Sequence, residues 1–168
     1  INRFDCRIQV LPSKPAVELK PDGGKIRFDN GEMQVVINCE TGLIDLYRIQ
    51  GLVYLNENSF QLLVLRDSDD PWSFQTNSFR EVEGAFRLMT RQEGSLFSGL
   101  KHHVVDSVRI IEDGDVRSII ETVFSYHNSF VNMHYLLPKR GTELQVSISA
   151  FWNEKGKMKK IIIANWKM

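Results

Sequence analysis

Residues 107–124 read SVRIIEDGDVRSIIETVF. Two apolar runs, 107–112 and 115–124, flank Asp113-Gly114. Asp-Gly between such runs suits a two-residue type I′ loop, in which both central residues need positive φ. The stretch therefore predicts a β-hairpin. Working outward, the same punctuation recurs. Asn30-Gly31 separates 25–29 from 32–39 in the same way, and Glu40-Thr41-Gly42 and Arg140-Gly141 mark further strand ends.

The runs between these turns alternate with period two. Met33, Val35, Ile37 and Cys39 share one face, opposite Glu32, Gln34, Val36 and Asn38. Val131, Met133, Tyr135 and Leu137 stand opposite Asn132 and His134. Leu144, Val146, Ile148, Ala150 and Trp152 alternate with Glu143, Gln145, Ser147, Ser149 and Phe151. Such alternation puts one face in a core and leaves the other more polar. No segment sustains a 3.6-residue apolar period, and the best helical candidate, 87–97, is poor. Short strands joined by tight turns predict an all-β fold, an antiparallel β-sandwich. Pro12, Pro15, Pro21, Gly23 and Gly24 preclude a central strand near the start. Residues 1–24 are therefore read as a linker or edge segment, with an edge strand at 6–10. Residues 25–168 are read as the sandwich domain. The end, 161–168, reads as one apolar strand with an atypical tail.

Composition narrows the function classes. The 168 residues carry 21 Lys+Arg and 21 Asp+Glu, a net charge of zero. That balance lacks the electrostatic footprint of a nucleic-acid binder, and a neutral chain has little protection against self-association. The chain has the size to bury a core without staples. Two cysteines, Cys6 and Cys39, are too few for a disulfide framework and match no zinc spacing. They read as unpaired thiols of a reducing, cytoplasmic setting, with a Cys6–Cys39 bridge left open. No apolar run approaches the ~20 residues of a membrane span. The start at Ile1 rather than Met fits an excised piece of a longer protein.

Motifs for phosphate binding and for a Gly-x-Ser-x-Gly nucleophile are absent. Adjacent His102 and His103 would point to opposite faces of a strand, as would His127 and His134 at a spacing of seven, so no metal site is expected within this chain. Lys155, Lys157, Lys159 and Lys160 read as a solvated basic hairpin. Asp67, Asp69 and Asp70 fail as a calcium loop, because Trp72 and Ser78 stand where Gly and Glu are required. They lie on a long polar and aromatic loop, 67–83, with Trp72, Phe74 and Phe79. Asp69, Asp70, Trp72 and Phe74 are the candidate carbohydrate-binding residues. A flat ring beside carboxylates is what sugar recognition uses, although a solvated acidic loop accounts for the same residues.

Several ordered segments carry a resemblance. They are Thr41-Gly42-Leu43-Ile44-Asp45-Leu46-Tyr47, Asn58-Ser59-Phe60-Gln61-Leu62, Asp69-Asp70-Pro71-Trp72, Phe79-Arg80-Glu81-Val82, Glu112-Asp113-Gly114-Asp115-Val116-Arg117 and Phe151-Trp152-Asn153-Glu154-Lys155. Together, from about residue 26 to about residue 160, they resemble the C-terminal β-domain of family 38 glycoside hydrolases, the α-mannosidases. The resemblance implies a sandwich of the galactose-mutarotase-like supersandwich kind, whole or partial. It implies a retaining α-mannosidase whose divalent metal, usually zinc, and catalytic carboxylates lie on an N-terminal domain outside this chain. No residue here matches those catalytic or metal motifs. The implied partners are that catalytic domain, mannose-containing glycans and a second copy of the chain. Two departures stand out: Ser73-Phe74-Gln75-Thr76 where relatives often carry a second Trp, and the tail at 161–168. A stand-alone carbohydrate-binding or protein-interaction sandwich is the alternative reading.

Overall fold

A computed structural model of the chain describes residues 19–66, 80–154 and 159–163. In chain order the elements are β1 (Pro21–Asp22), β2 (Lys25–Asp29), β3 (Met33–Asn38), β4 (Ile44–Ile49), β5 (Leu52–Leu55), β6 (Leu62–Arg66), β7 (Val82–Ala85), β8 (Arg87–Leu88), α1 (Arg91–Phe97), β9 (Val108–Asp113), β10 (Arg117–Tyr126), β11 (Ser129–Pro138), β12 (Gln145–Phe151) and β13 (Lys159–Ile163). All strand pairs are antiparallel. The fold is an all-β sandwich, as the alternation predicts.

The first sheet is a meander, β1-β2-β3-β4-β5. The second runs β12-β11-β10, with β8 and β9 both paired to β10. A third, smaller sheet is ordered β13-β6-β7. One apolar core joins them. Ile26, Phe28, Val35 and Ile37 from the first sheet meet Ile120, Phe124, Met133 and Tyr135 from the second, and Leu62 and Val64 from the third extend the same cluster. A buried hydrogen bond crosses between the layers: the Tyr135 hydroxyl donates to the Gly42 carbonyl at 2.9 Å. Burial raises the Tyr135 hydroxyl pKa well above its ordinary value, so it stays a donor. Gly42 sits at φ 72°, and a Cβ there would lie 2.8 Å from Leu88 Cδ1 and 2.9 Å from Phe124 Cζ. The Thr41-Gly42 turn thus needs glycine both for its backbone conformation and for the close approach.

The hairpins form where the sequence places them, but with different turns. Gly114 is not at positive φ, and its N–H bonds the Arg117 carbonyl at 3.0 Å. The Asp113-Gly114 type I′ expectation is therefore corrected: Gly114, Asp115 and Val116 all lie between the strand ends. At Asn30-Gly31 only Gly31 has positive φ, 85°. There the Asn30 side chain takes over the turn. Its oxygen accepts from the Glu32 and Met33 N–H groups, and its amide donates to the Pro138 and Gly141 carbonyls. Two-residue loops with both φ positive occur instead at Gln50-Gly51 and Gly23-Gly24.

The helix α1 interrupts a strand line. Ten-residue β10 pairs with β11 along one edge and with β9 and then β8 along the other. Between β8 and β9 the chain leaves the sheet, and Val123 holds both ends of this excursion. The Val123 carbonyl accepts from the Met89 N–H at 2.9 Å, and its N–H donates to the Ser107 carbonyl at 3.1 Å. A capping box starts the helix: Thr90 accepts from the Glu93 N–H, and Glu93 accepts from the Thr90 N–H. Gly94 lets α1 settle on the outer face of β10, since a Cβ there would meet Ser107 Oγ at 2.4 Å. Among the described residues no helix is long and apolar enough to cross a membrane.

Candidate functional site

Two polar constellations stand out, one at an end of the sandwich and one on the outer face of the second sheet. At the end, a groove of about 510 Å³ is lined by residues including Lys20, Asp22, Arg27, Asp29, Asn30 and Lys139. Lys139 already has a partner: its ammonium lies 2.7 Å from Asp113 and 5.4 Å from the centre of the Phe28 ring. Asp113 in turn accepts from Ser118 Oγ at 2.7 Å and the Leu19 N–H at 2.8 Å. Burial pushes the Asp113 carboxyl up, but Lys139, Leu19 and Ser118 outweigh it and hold its pKa below the usual value. With both signs interleaved, this groove ties the β9–β10 turn to β11 and has no excess of positive charge for an anion.

The outer-face constellation is richer. Glu121 of β10 stands between Arg109 of β9 and His134 of β11 in cross-strand register. The Arg109 guanidinium lies 2.7 Å from the Glu121 carboxylate, with side chains only 18% and 15% exposed. Asn132 Nδ2 donates to Glu121 Oε1 at 2.9 Å, and His134 Nε2 lies 3.3 Å from the same oxygen. Arg109 also reaches α1, donating to Ser98 Oγ at 2.7 Å. Burial raises the Glu121 pKa, but Asn132, Arg109 and His134 favour the carboxylate more strongly, and the net shift is downward. The group is a fixed anion, not a proton carrier near neutrality. Beside it lies an aromatic row. Phe130 and Phe151 are paired across β11 and β12, stacked at 4.9 Å and 19°. Phe97 of α1 meets Phe130 edge-on at 5.0 Å.

Asp69, Asp70, Trp72 and Phe74 lie outside the described residues, as do Cys6, Asp67, Phe79, Lys155, Lys157 and the proposed edge strand at 6–10. What the structure does describe is the base of the 67–79 segment. The Arg66 N–H donates to the Glu81 carbonyl, and the Arg66 guanidinium lies 2.9 Å from the Glu81 carboxylate. Residues 82 and 83, read as the end of the loop, instead begin strand β7. His102 and His103 are exposed and lie outside helix and strand, while His127 occupies a hairpin turn at φ 47°. Among the described residues no three His, Cys, Asp or Glu side chains come together as metal ligands. Cys39 is a free, half-buried thiol whose pKa is raised, chiefly by burial. Such a thiol is a poor nucleophile.

Trp152, one residue past β12, packs half-buried against the core, as the alternation from Leu144 predicts, parallel to Tyr126 at 6.2 Å and 11°. Glu154 closes the neighbouring hairpin, its Oε1 accepting from the Asn128 N–H at 2.9 Å and Ser129 Oγ at 2.7 Å. Sequence reasoning missed the Arg109–Glu121–His134 row. Its signal was present in the polar positions opposite the core face of β11, but partners on other strands follow only from register. No protein-family profile matches the chain. No curated protein matches it either.

Proposed function

We propose that this chain is the non-catalytic β-sandwich portion of a family 38 α-mannosidase, a retaining glycoside hydrolase cleaving α-mannosidic bonds. Its work is structural: it covers a catalytic domain that carries the metal, expected to be zinc, and the carboxylates, and it borders the cleft that receives mannose-containing glycans. The supporting observation is how the resembling residues are used. Gly42 accepts the Tyr135 bond, Asp113 gathers Lys139, Ser118 and Leu19, and Glu154 locks the 126–129 hairpin. Residues that serve as internal fastenings suit a scaffold better than a reaction centre.

The test is an aryl α-mannoside assay on the purified chain, with added zinc and with chelator. No turnover is expected in either condition. Metal-dependent hydrolysis by this chain alone would overturn the reading.

A further inference from the structure

The outer face of the second sheet forms a shelf that the fastenings described above do not use. Helix α1 covers this face around Val123 of β10 and reaches Phe130 of β11 through Phe97. Over β11 and β12 the outward side chains include Asn132, His134, Leu136, Gln145, Ser147, Ser149 and Phe151, aligned by the pairs Asn132↔Ser149, His134↔Ser147, Leu136↔Gln145 and Phe130↔Phe151. Phe151 is 49% exposed although it is stacked on Phe130, and Leu96 and Phe97 on α1 are 67% and 36% exposed. The shelf thus has a flat aromatic end, an apolar rim on α1 and a floor of hydroxyls.

Its charge selects the ligand. Arg109 and Glu121 cancel each other at 2.7 Å. An ionic ligand therefore meets no surplus of opposite charge. The aromatic ring offers a negatively polarised face to aliphatic C–H groups, while Ser147, Ser149 and His134 present small donors and acceptors within two residue steps. A neutral polyol with one apolar C–H face and a hydroxyl edge satisfies both. Protein-interface cores, by contrast, are depleted in Ser and in charge. We propose that this shelf is a surface binding site for neutral hexose oligosaccharides, with Phe151 stacking on a sugar ring and the Ser147–Ser149 floor bonding its hydroxyls. It does not depend on the mannosidase reading.

The experiment titrates the full 168-residue chain with mannotetraose and, separately, cellotetraose to about 10 mM, the range of weak binding, followed by amide chemical shifts. Saturable shifts at Asn132, Ser147, Ser149 and Phe151 with either sugar are expected. Phe151→Ala should weaken binding roughly tenfold or more, while Phe151→Tyr, which keeps the ring, should restore it. Unchanged spectra with both sugars would overturn the proposal. So would shifts indifferent to Phe151→Ala but lost in Trp72→Ala, which would move sugar binding to the 67–79 segment. Concentration-dependent broadening of the shelf amides without sugar would also contradict it, assigning the surface to self-association. None of these failures touches the proposed function, which stands or falls on the catalytic partner.

Discussion

The two faces of β11 share one backbone and one set of neighbours, yet they meet different surroundings. Val131, Met133, Tyr135 and Leu137 point inward and are fully buried. Phe130, Asn132, His134 and Leu136 point outward and are all partly exposed. The inner face joins the core cluster with residues of β2, β3, β4 and β5. The outer face meets a seven-residue helix at one edge and solvent beyond it. The contrast separates two kinds of constraint: packing between the layers fixes the inner face, whereas the outer face is only partly covered.

The largest expected effect lies on the inner face. Met133→Ala removes a fully buried side chain between the layers and should cost about 2–5 kcal/mol in chemical denaturation. A loss near zero would mean that the layers are not packed as described. Tyr135→Phe is gentler, since it keeps the ring but strands the buried Gly42 carbonyl. A loss of about 1–3 kcal/mol is expected.

On the outer face Glu121→Gln keeps the shape but leaves Arg109 without its counter-charge. It should cost about 1–2 kcal/mol, reduced by the solvent that reaches the pair's edge. Because folding lowers the Glu121 pKa, its contribution is complete above the ordinary carboxylate value of about 4.3 and is lost as pH falls through the lower folded value. In Glu121→Gln that part of the acid sensitivity should disappear. Glu93 gives the cleaner titration. The Arg87 guanidinium, with help from Thr90, lowers its carboxyl to about 2. The α1 cap should therefore persist below the usual carboxylate range and release only as pH approaches about 2, which carboxyl chemical shifts would follow. A Glu93 midpoint near 4.3 would mean that the cap is not held as described. The smallest expected stability effect is Phe151→Ala, under about 1 kcal/mol because the ring is half exposed. A larger loss would show the outer aromatic row to be core after all.

The inner face was legible because burial on one side of a sheet imposes period two on the sequence, as the β3 and β11 alternations show. Turn types were less legible. At Asn30 a side chain took over the bonds that a type I′ backbone would have made, whereas the Gln50-Gly51 loop adopts that turn without an Asn or Asp. The helix carried a readable Thr90-x-x-Glu93 cap, but at seven residues it is too short for an apolar period to reveal. The Arg109–Glu121–His134 row needed three strands in register, and alternation reports which way a side chain points but not what stands beside it.

The most direct measurement for the scaffold reading is the genomic sequence upstream of Ile1. An in-frame region encoding a catalytic domain with His and Asp metal ligands is the predicted result. A start codon immediately before Ile1 would contradict it, leaving a stand-alone sandwich.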